Sequence, residues 1–180
     1  MGGQSIQVVQ GDITQFATKA IVNAANERML GGSGVNGAIH RAAGPQLIEA
    51  CRKVKEVKPG VRCPTGEARI TPAFALPAEY VIHTVGPVWY GGSHNEKEQL
   101  SSAYRTSMAL AEENGCESIS FPCISTGVFM FPFEQACKIA LDTIQEFSGR
   151  GTISEVLLVC FSVPREEEYR KILSAHPLSD

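Results

Sequence analysis

The chain has 180 residues, of which 43% are hydrophobic and 19% are charged, and its formal net charge is -3. This length suits one domain with a sizeable hydrophobic core, so we expect a single domain over residues 1–180. The slightly acidic balance excludes a bulk positive field that would attract nucleic acid or an anionic membrane. A bound anion would therefore have to be held by local geometry.

Short strand-like segments alternate with longer helix-like segments along the chain. Strands are predicted at residues 5–10 and 19–24, and two consecutive helices within residues 37–55, because Gly44-Pro45 interrupts the helical pattern. The later apolar patterns predict, in chain order, strands at 67–73 and 80–85, a helix at 96–114, a strand at 118–121, a helix at 133–147, a strand at 155–161 and a helix opened by Pro164.

This alternation predicts an α/β fold, a three-layer αβα sandwich with a central mixed sheet. The run EVLLVCF at 155–161 is apolar throughout, as is typical of a central strand covered on both faces. Three acids, Glu166, Glu167 and Glu168, are expected in the first turn of the last helix, where they suit the helix dipole better than a metal cluster. Ligands of such folds usually lie outside the carboxyl ends of the strands, so the loops there are the candidate site.

The first candidate loop spans residues 31–37 and has four glycines, ahead of a helix predicted at 38–43. Glycines let backbone N–H groups approach a ligand, and a helix N-terminus adds partial positive charge, so a phosphate can be held without Lys or Arg. A surface loop without a ligand is the alternative interpretation. The candidate ligand-binding residues here are Gly32, Ser33, Gly34, Val35, Asn36 and Gly37.

The glycines of this loop also satisfy a dinucleotide-binding fingerprint, Gly32-x-Gly34-x-x-Gly37. The context argues against that interpretation, because residues 26–31 separate the motif from the preceding strand. The strand ending in an acid about 20 residues further on is also missing. A nicotinamide-dependent oxidoreductase is therefore an alternative that rests on the glycine fingerprint alone.

Two further loops follow predicted strands. In the second, Ser125, Thr126 and Gly127 can donate hydrogen bonds to the other side of a diphosphate, and Phe129 offers a flat apolar surface for a sugar. For Phe129 a core position is an equal alternative, whereas Phe131 is expected in the core. In the third loop Asp12 either caps a short helix or accepts a hydrogen bond from the exocyclic amine of a base, and the sequence leaves both open.

These loops occur within motifs that closely resemble the macro-domain family, in its MacroD-type branch. The matching segments are VVQGDIT, AIVNAAN, GAIHRAAGP, LPAEYVIHTVGP and FPCISTGVF, in the order of the family, and the resemblance extends from about Ile6 to the last helix. Several independent motifs in the right order are far more specific than one glycine pattern.

The resemblance implies a cleft that binds ADP-ribose. It implies that Asp12 accepts from the adenine amine, that Ile13 uses its backbone on the neighbouring ring nitrogen, and that Phe161 packs against the adenine. Asn26 is implied to contact the distal ribose, with Phe129 against that sugar. The diphosphate is implied to lie between the first loop and residues Ser125, Thr126, Gly127, Val128 and Phe129.

The resemblance further implies hydrolysis of mono-ADP-ribosyl esters on acidic side chains and of O-acetyl-ADP-ribose, with Asn26 and Asn36 as the catalytic residues. MacroD-type members typically carry Asp where this chain has Asn36. An amide cannot take a proton, so loss of a general base there would slow the chemistry ~10²–10⁴-fold. Some viral macro domains lack the acid and are still classed as hydrolases. A binding module without significant turnover is the alternative.

Two other departures from the family pattern are Ser33 and Met130, where glycine is usual. The expected partners are ADP-ribose, O-acetyl-ADP-ribose and mono-ADP-ribosylated proteins, without membrane or direct nucleic-acid binding, and the protein is expected to be a monomer. No signal peptide, membrane-length apolar run, Cys-x-x-Cys pair or histidine ligand spacing is present. We therefore expect a cytoplasmic protein with reduced, mostly buried cysteines, no metal site and no cofactor.

Overall fold

The structure, a computed structural model, describes residues 3–177. These residues form one six-stranded sheet and five α-helices. The strands are β1 (Ser5–Gln10), β2 (Ala20–Ala24), β3 (Ala68–Pro72), β4 (Tyr80–Thr84), β5 (Ser118–Phe121) and β6 (Glu155–Cys160). The helices are α1 (Gly34–Ala43), α2 (Pro45–Arg52), α3 (Glu96–Glu113), α4 (Phe133–Gln145) and α5 (Val163–Ala175), and a short 3-10 helix spans Ile13–Gln15.

The strands lie in the order β1-β6-β5-β2-β4-β3. Neighbours pair in parallel from β1 to β4, and β3 pairs antiparallel with β4. Five parallel strands therefore end at the same edge of the sheet, which we call the carboxyl edge. The interior position predicted for the EVLLVCF strand is confirmed, because β6 lies between β1 and β5.

Helices cover both faces of the sheet. Successive strand residues point to opposite faces, and the two hydrophobic clusters follow this alternation: Ile21 and Val81 pack with α1 and α2, whereas Val22 and Ile82 pack with α3, α4 and α5. The predicted three-layer αβα sandwich with a mixed sheet is confirmed. Most predicted element ends lie within one or two residues of the observed ones.

One predicted helix start was wrong, and the first turn of the last helix contains fewer acids than predicted. The first helix was expected at residue 38, but α1 begins at Gly34, because the Gly37 N–H donates to the Ser33 carbonyl (3.2 Å) and closes a turn earlier. The last helix begins at Val163, one residue before Pro164, because the Ser162 hydroxyl caps it by accepting from the Arg165 N–H (3.4 Å). Its first turn therefore contains Glu166 alone of the three acids.

Residues 3–177 also bear on membrane insertion and metal binding. No helix there combines the length and the apolar character needed to cross a membrane. In the same residues, no three His, Cys, Asp or Glu side chains are grouped so that they could hold a metal ion.

Candidate ligand-binding site

The predicted site residues converge on the carboxyl edge, since each segment follows the end of a parallel strand. Asp12 and Ile13 follow β1, and Phe161 follows β6. The second loop (residues 125–129) follows β5, and Asn26 with the first loop (residues 31–37) follows β2. The order of the strands thus brings together four segments that are far apart in the sequence.

The first loop presents free backbone donors at the start of a helix. Ser33 is extended (φ -105°, ψ -178°) and its side chain makes no capping hydrogen bond. Within the described part of the chain, the N–H groups of residues 32–36 have no protein acceptor. The first N–H groups of a helix carry partial positive charge, so this turn is suited to an anion.

Two glycines of this loop are closely packed. A Cβ on Gly37 would lie 2.6 Å from the Gly32 carbonyl oxygen, and a Cβ on Gly32 would lie 2.8 Å from Asn36 Nδ2. The loop therefore folds back tightly onto the first turn of α1. Asn26 helps to hold this shape, because its Nδ2 donates to the Gly31 carbonyl (2.9 Å) and its Oδ1 accepts from the Met29 N–H (3.1 Å). One Nδ2 hydrogen of Asn26 remains for a ligand.

The second loop has free donors of its own. Ser125 has a φ of 66° and is 7% exposed, and its hydroxyl has no partner among residues 3–177. The loop is closed by the Phe131 N–H, which donates to the Ser125 carbonyl (2.9 Å). In the described chain, the N–H groups of residues 127–129 have no protein acceptor. Gly86, just after β4, is required because a Cβ there would lie 2.1 Å from Ser125 Oγ.

The aromatic side chains of this loop differ in burial. Phe131 is 2% exposed and its ring centroid lies 4.7 Å from that of Trp89, so its predicted core position is confirmed. Phe129 is half-buried, and its carbonyl accepts from the Trp89 N–H (2.8 Å). Part of the Phe129 ring is therefore accessible. Val128 and Met130 are largely exposed.

The residues implied to bind adenine lie at the β1–β6 end of the carboxyl edge. Asp12 caps the 3-10 helix, because its Oδ1 accepts from both the N–H (2.9 Å) and the hydroxyl (2.7 Å) of Thr14. Both bonds use Oδ1, which leaves Oδ2 for a ligand, so Asp12 can fill both of its proposed roles. Ile13 is buried, and Phe161 is 86% exposed, with its ring face open.

Asn36 lies on α1, near β2 and β4. Its side chain is held by two residues of these strands that the sequence interpretation missed. It is 6% exposed, and its Oδ1 accepts from Asn23 Nδ2 (3.0 Å). Asn23 Nδ2 also lies 3.1 Å from Nδ1 of the fully buried His83. Burial, with a smaller contribution from His40, lowers the pKa of His83 to about 3, so its ring is neutral. The sequence contained one signal for these residues: Asn23 and His83 are each a polar residue within an otherwise apolar strand.

The cysteines have no disulfide partners among the described residues. Five are buried and Cys123 is half-buried, with its Sγ 3.8 Å from that of Cys160. Burial raises the pKa of Cys51 to about 11 and that of Cys63 to about 12, which disfavours the reactive thiolate. The expectation of mostly buried thiols is thus confirmed for residues 3–177.

A groove of about 680 Å³ lies elsewhere, between α2 and β3. Its lining includes Pro45, Val54, Ile70 and Phe74 but none of the predicted site residues. Its walls are mostly apolar, whereas the carboxyl edge offers convergent donors. We therefore take the carboxyl edge as the candidate site.

Comparison with known proteins decides the family. A family model described as Macro domain matches residues 22–140. The chain belongs to the macro domain family. This macro domain is 52% identical over 170 residues to a protein of Escherichia fergusonii named O-acetyl-ADP-ribose deacetylase, covering 94% of this chain and 95% of that protein.

Solved structures agree with this assignment. The Oceanobacillus iheyensis macrodomain with ADP is 43% identical, with a TM-score of 0.89, over 95% of this chain and 90% of that one. The Trypanosoma brucei macrodomain in complex with ADP-ribose is 40% identical, with a TM-score of 0.81, over 93% of this chain and 68% of that one. In this macro domain the dinucleotide fingerprint lacks its usual context, because β2 ends at Ala24 and α1 begins only at Gly34.

Proposed function

We propose that this macro domain binds ADP-ribose at the carboxyl edge and hydrolyses O-acetyl-ADP-ribose and mono-ADP-ribosyl esters on acidic side chains of proteins. The observation that carries the proposal is the pair of loops whose main-chain N–H groups, at residues 32–36 and 127–129, have no acceptor in the described protein. The deacetylase name of the Escherichia fergusonii relative and the ADP-ribose complex of the Trypanosoma brucei macrodomain support the ligand class.

The diphosphate is held between the two loops in this proposal. Neither loop contains Lys or Arg, so the charge is balanced by N–H dipoles and by the N-terminus of α1. The buried Ser125 hydroxyl adds a donor from the second loop. Hydrogen bonds from N–H groups to a charged oxygen are stronger than neutral ones, which makes such a site effective without cations.

The remaining parts of ADP-ribose extend towards the two ends of the edge. The adenine lies at the β1–β6 end, where its amine donates to Asp12, the Ile13 backbone contacts the neighbouring nitrogen, and its ring packs on Phe161. The distal ribose lies near Asn26 and Asn36, against the accessible part of the Phe129 ring. This orientation places the base on the exposed surface around Phe161. It places the reacting group beside Asn26 and Asn36, a region that we call the fixed end.

Hydrolysis takes place at the fixed end. A water oxygen forms a bond to the acyl carbon, the bond from that carbon to the ribose oxygen breaks, and the ribose regains its hydroxyl while the acid leaves as a carboxylate. Asn26 and Asn36 orient the ester and the water by hydrogen bonds. Since the Asn36 amide cannot accept the water's proton, this proton passes to solvent or to a phosphate oxygen, and turnover is slow.

A reader module without turnover is the second candidate, and Asn36 is the observation that favours it. Removing a carboxylate from the neighbourhood of a diphosphate removes a repulsion. Binding would then be retained or strengthened while the chemistry is lost.

The test combines calorimetry with two hydrolysis assays. We expect heat of binding with ADP-ribose, none with NAD, and slow release of acetate from O-acetyl-ADP-ribose and of ADP-ribose from a mono-ADP-ribosylated acidic residue. Binding with unchanged substrates after long incubation at high enzyme concentration would establish the reader. Absence of heat with ADP-ribose would contradict both candidates. We also propose that the protein acts as a monomer, which sedimentation of the same samples would test.

A further inference from the structure

Two buried polar side chains connect the core to the proposed reactive end. Asn23 on β2 and His83 on β4 are paired in the parallel register of these strands, and both are fully buried. Side-chain alternation places them on the face covered by α1 and α2, with Ile21 and Val81. Uncharged polar groups at such depth usually have hydrogen-bonding partners. Among the described residues Asn23 Oδ1 has none, whereas Asn23 Nδ2 has two, and one of these, Asn36, belongs to the first loop.

The hydrogen bonds of Asn23 determine which atoms of its neighbours are donors and which are acceptors. Asn23 Nδ2 lies 3.0 Å from Asn36 Oδ1 and 3.1 Å from His83 Nδ1. An amide nitrogen has two hydrogens, so Asn23 donates to both atoms and His83 Nδ1 must be an acceptor. The ring proton is therefore on Nε2, which donates to Thr71 Oγ1 at 3.0 Å. The remaining neighbours of the ring are Cys51, whose Sγ lies 3.8 Å from Nε2, and His40, 6.4 Å away between ring centroids.

The direction of Asn36 follows from this arrangement. Its Oδ1 is held by Asn23, so its Nδ2 points to the first loop, 2.8 Å from the position of a Gly32 Cβ. A carboxylate at this position would present an acceptor on both sides. This chain presents an N–H donor on the ligand side instead.

We propose that His83, acting through Asn23, is a positioning residue that fixes Asn36 with its N–H group towards the ligand, so that the site donates to a substrate oxygen. The proposal rests on the proposed function for its substrate. The acyl carbonyl oxygen of an ester is the acceptor that gains most, because it gains negative charge as water attacks and a preorganised donor then stabilises it. Asn36 thus assists the reaction as a donor although it cannot act as a base.

The first experiment reads the tautomer of His83 directly. Long-range ¹H–¹⁵N correlation at pH 7, with a His83→Asn sample to assign the signal, distinguishes an unprotonated Nδ1 from an unprotonated Nε2. We expect the proton on Nε2. A proton on Nδ1 would overturn the proposal, because Asn23 would then have to turn its oxygen to the ring and Asn36 would be reversed. This result does not depend on whether the protein has any activity.

The second experiment follows the Asn36 side-chain N–H₂ signals, assigned by their loss in Asn36→Asp, during addition of ADP-ribose. We expect these signals to shift in the wild-type protein and the shift to be lost in His83→Leu. His83→Asn should restore it, since an Asn Oδ1 stands as many bonds from Cα as His Nδ1 and can accept from Asn23. Binding of ADP-ribose without any shift of these signals would refute the positioning role while leaving the proposed function intact.

Kinetics provide the last readout. We expect His83→Leu to lower kcat for O-acetyl-ADP-ribose about tenfold or more, as for a misplaced catalytic group, with KM changed less, and His83→Asn to recover most of the loss. Thr143→Val is the matched control, because it removes a buried hydroxyl from α4 on the opposite face of the sheet. An equal loss in Thr143→Val, or a KM effect alone in His83→Leu, would indicate general destabilisation and contradict the proposal.

Discussion

At the β1–β6 end of the carboxyl edge, Phe161 is 86% exposed and Asp12 is a surface residue that caps a short helix. At the other end, Asn36 is 6% exposed and is hydrogen-bonded to Asn23, which in turn contacts the buried His83. The first end can therefore change with little effect on the fold. The second end cannot, because the orientation of the Asn36 side chain is set by hydrogen bonds to buried residues of the core. In the proposed function, adenine binding and the chemistry are thus separated along one edge of the sheet.

The largest expected effect is on the chemistry at the fixed end. Asn36→Asp introduces a carboxylate, to which Asn23 Nδ2 can still donate, and removes the Asn36 N–H donor. Because a general base contributes ~10²–10⁴-fold, we expect a net rise in kcat for O-acetyl-ADP-ribose. The affinity for ADP-ribose should fall slightly, because the new charge is near the diphosphate. Acetate release under single-turnover conditions measures the rate. An unchanged rate would mean that the missing carboxylate does not limit the proposed hydrolysis.

The next effect concerns the first loop. Gly37→Ala places a Cβ 2.6 Å from the Gly32 carbonyl oxygen, so the loop must move away from α1 and its N–H groups lose their common direction. We expect the affinity for ADP-ribose to fall by at least about tenfold, or ~1.4 kcal/mol. Ala42→Ser, on the exposed side of the same helix, is the matched control and should bind as the wild type does. Calorimetry that finds equal affinities for all three proteins would refute the role of this loop.

A similar loss of affinity, but without loss of stability, is expected at the open end. Phe161→Ala removes a ring that is mostly exposed, so the free energy of unfolding should change by less than ~0.5 kcal/mol. Stacking of a base on an aromatic ring contributes ~1–3 kcal/mol, so affinity for ADP-ribose should fall at least about fivefold. Thermal unfolding and calorimetry on the same samples give both quantities. A destabilised Phe161→Ala, or one with unchanged affinity, would remove the contrast between the two ends.

The last predicted effect is on stability and not on binding or chemistry, and it depends on pH. Burial lowers the pKa of His83 from 6.5 to about 3 in the folded protein, so between these values the unfolded chain binds a proton that the folded one does not. The free energy of unfolding therefore falls as the pH decreases from 6.5 towards 3, by up to ~1.4 kcal/mol per pH unit from this group. Urea unfolding of His83→Asn should show a shallower dependence than the wild type. Parallel curves would show that His83 is not buried as a neutral ring.

The order of strands and helices could be predicted from the sequence because the spacing of apolar residues differs between helices and strands. The two loops could be found because glycines at the start of a helix and polar residues after a strand are local signals. The start of α1 could not be predicted. Glycine is a poor helix former, yet α1 begins at Gly34, whose φ of 59° glycine adopts readily, and includes Gly37, which packs against the Gly32 backbone, a contact visible only in three dimensions.

The support beneath Asn36 could not be predicted either. Asn23 and His83 are 60 residues apart and meet only because β2 and β4 are neighbours in the sheet. The sequence pattern assigned the histidine no role, since it has no ligand spacing. Its role follows from the tautomer that its partners impose. The single-domain organisation, the cytoplasmic location and the monomeric state stay predictions.

The central claim is that main-chain N–H groups of two loops, without cationic side chains, hold the diphosphate. A ¹H–¹⁵N titration with ADP-ribose tests it most directly. We predict that the amide signals of residues 32–36 and 127–129 move the most, with protons shifted downfield, and that they move equally in Arg41→Gln, which removes a guanidinium whose Nη1 lies 3.0 Å from the position of a Gly37 Cβ. Binding that leaves these amides unchanged, or that is lost with Arg41, would contradict the account.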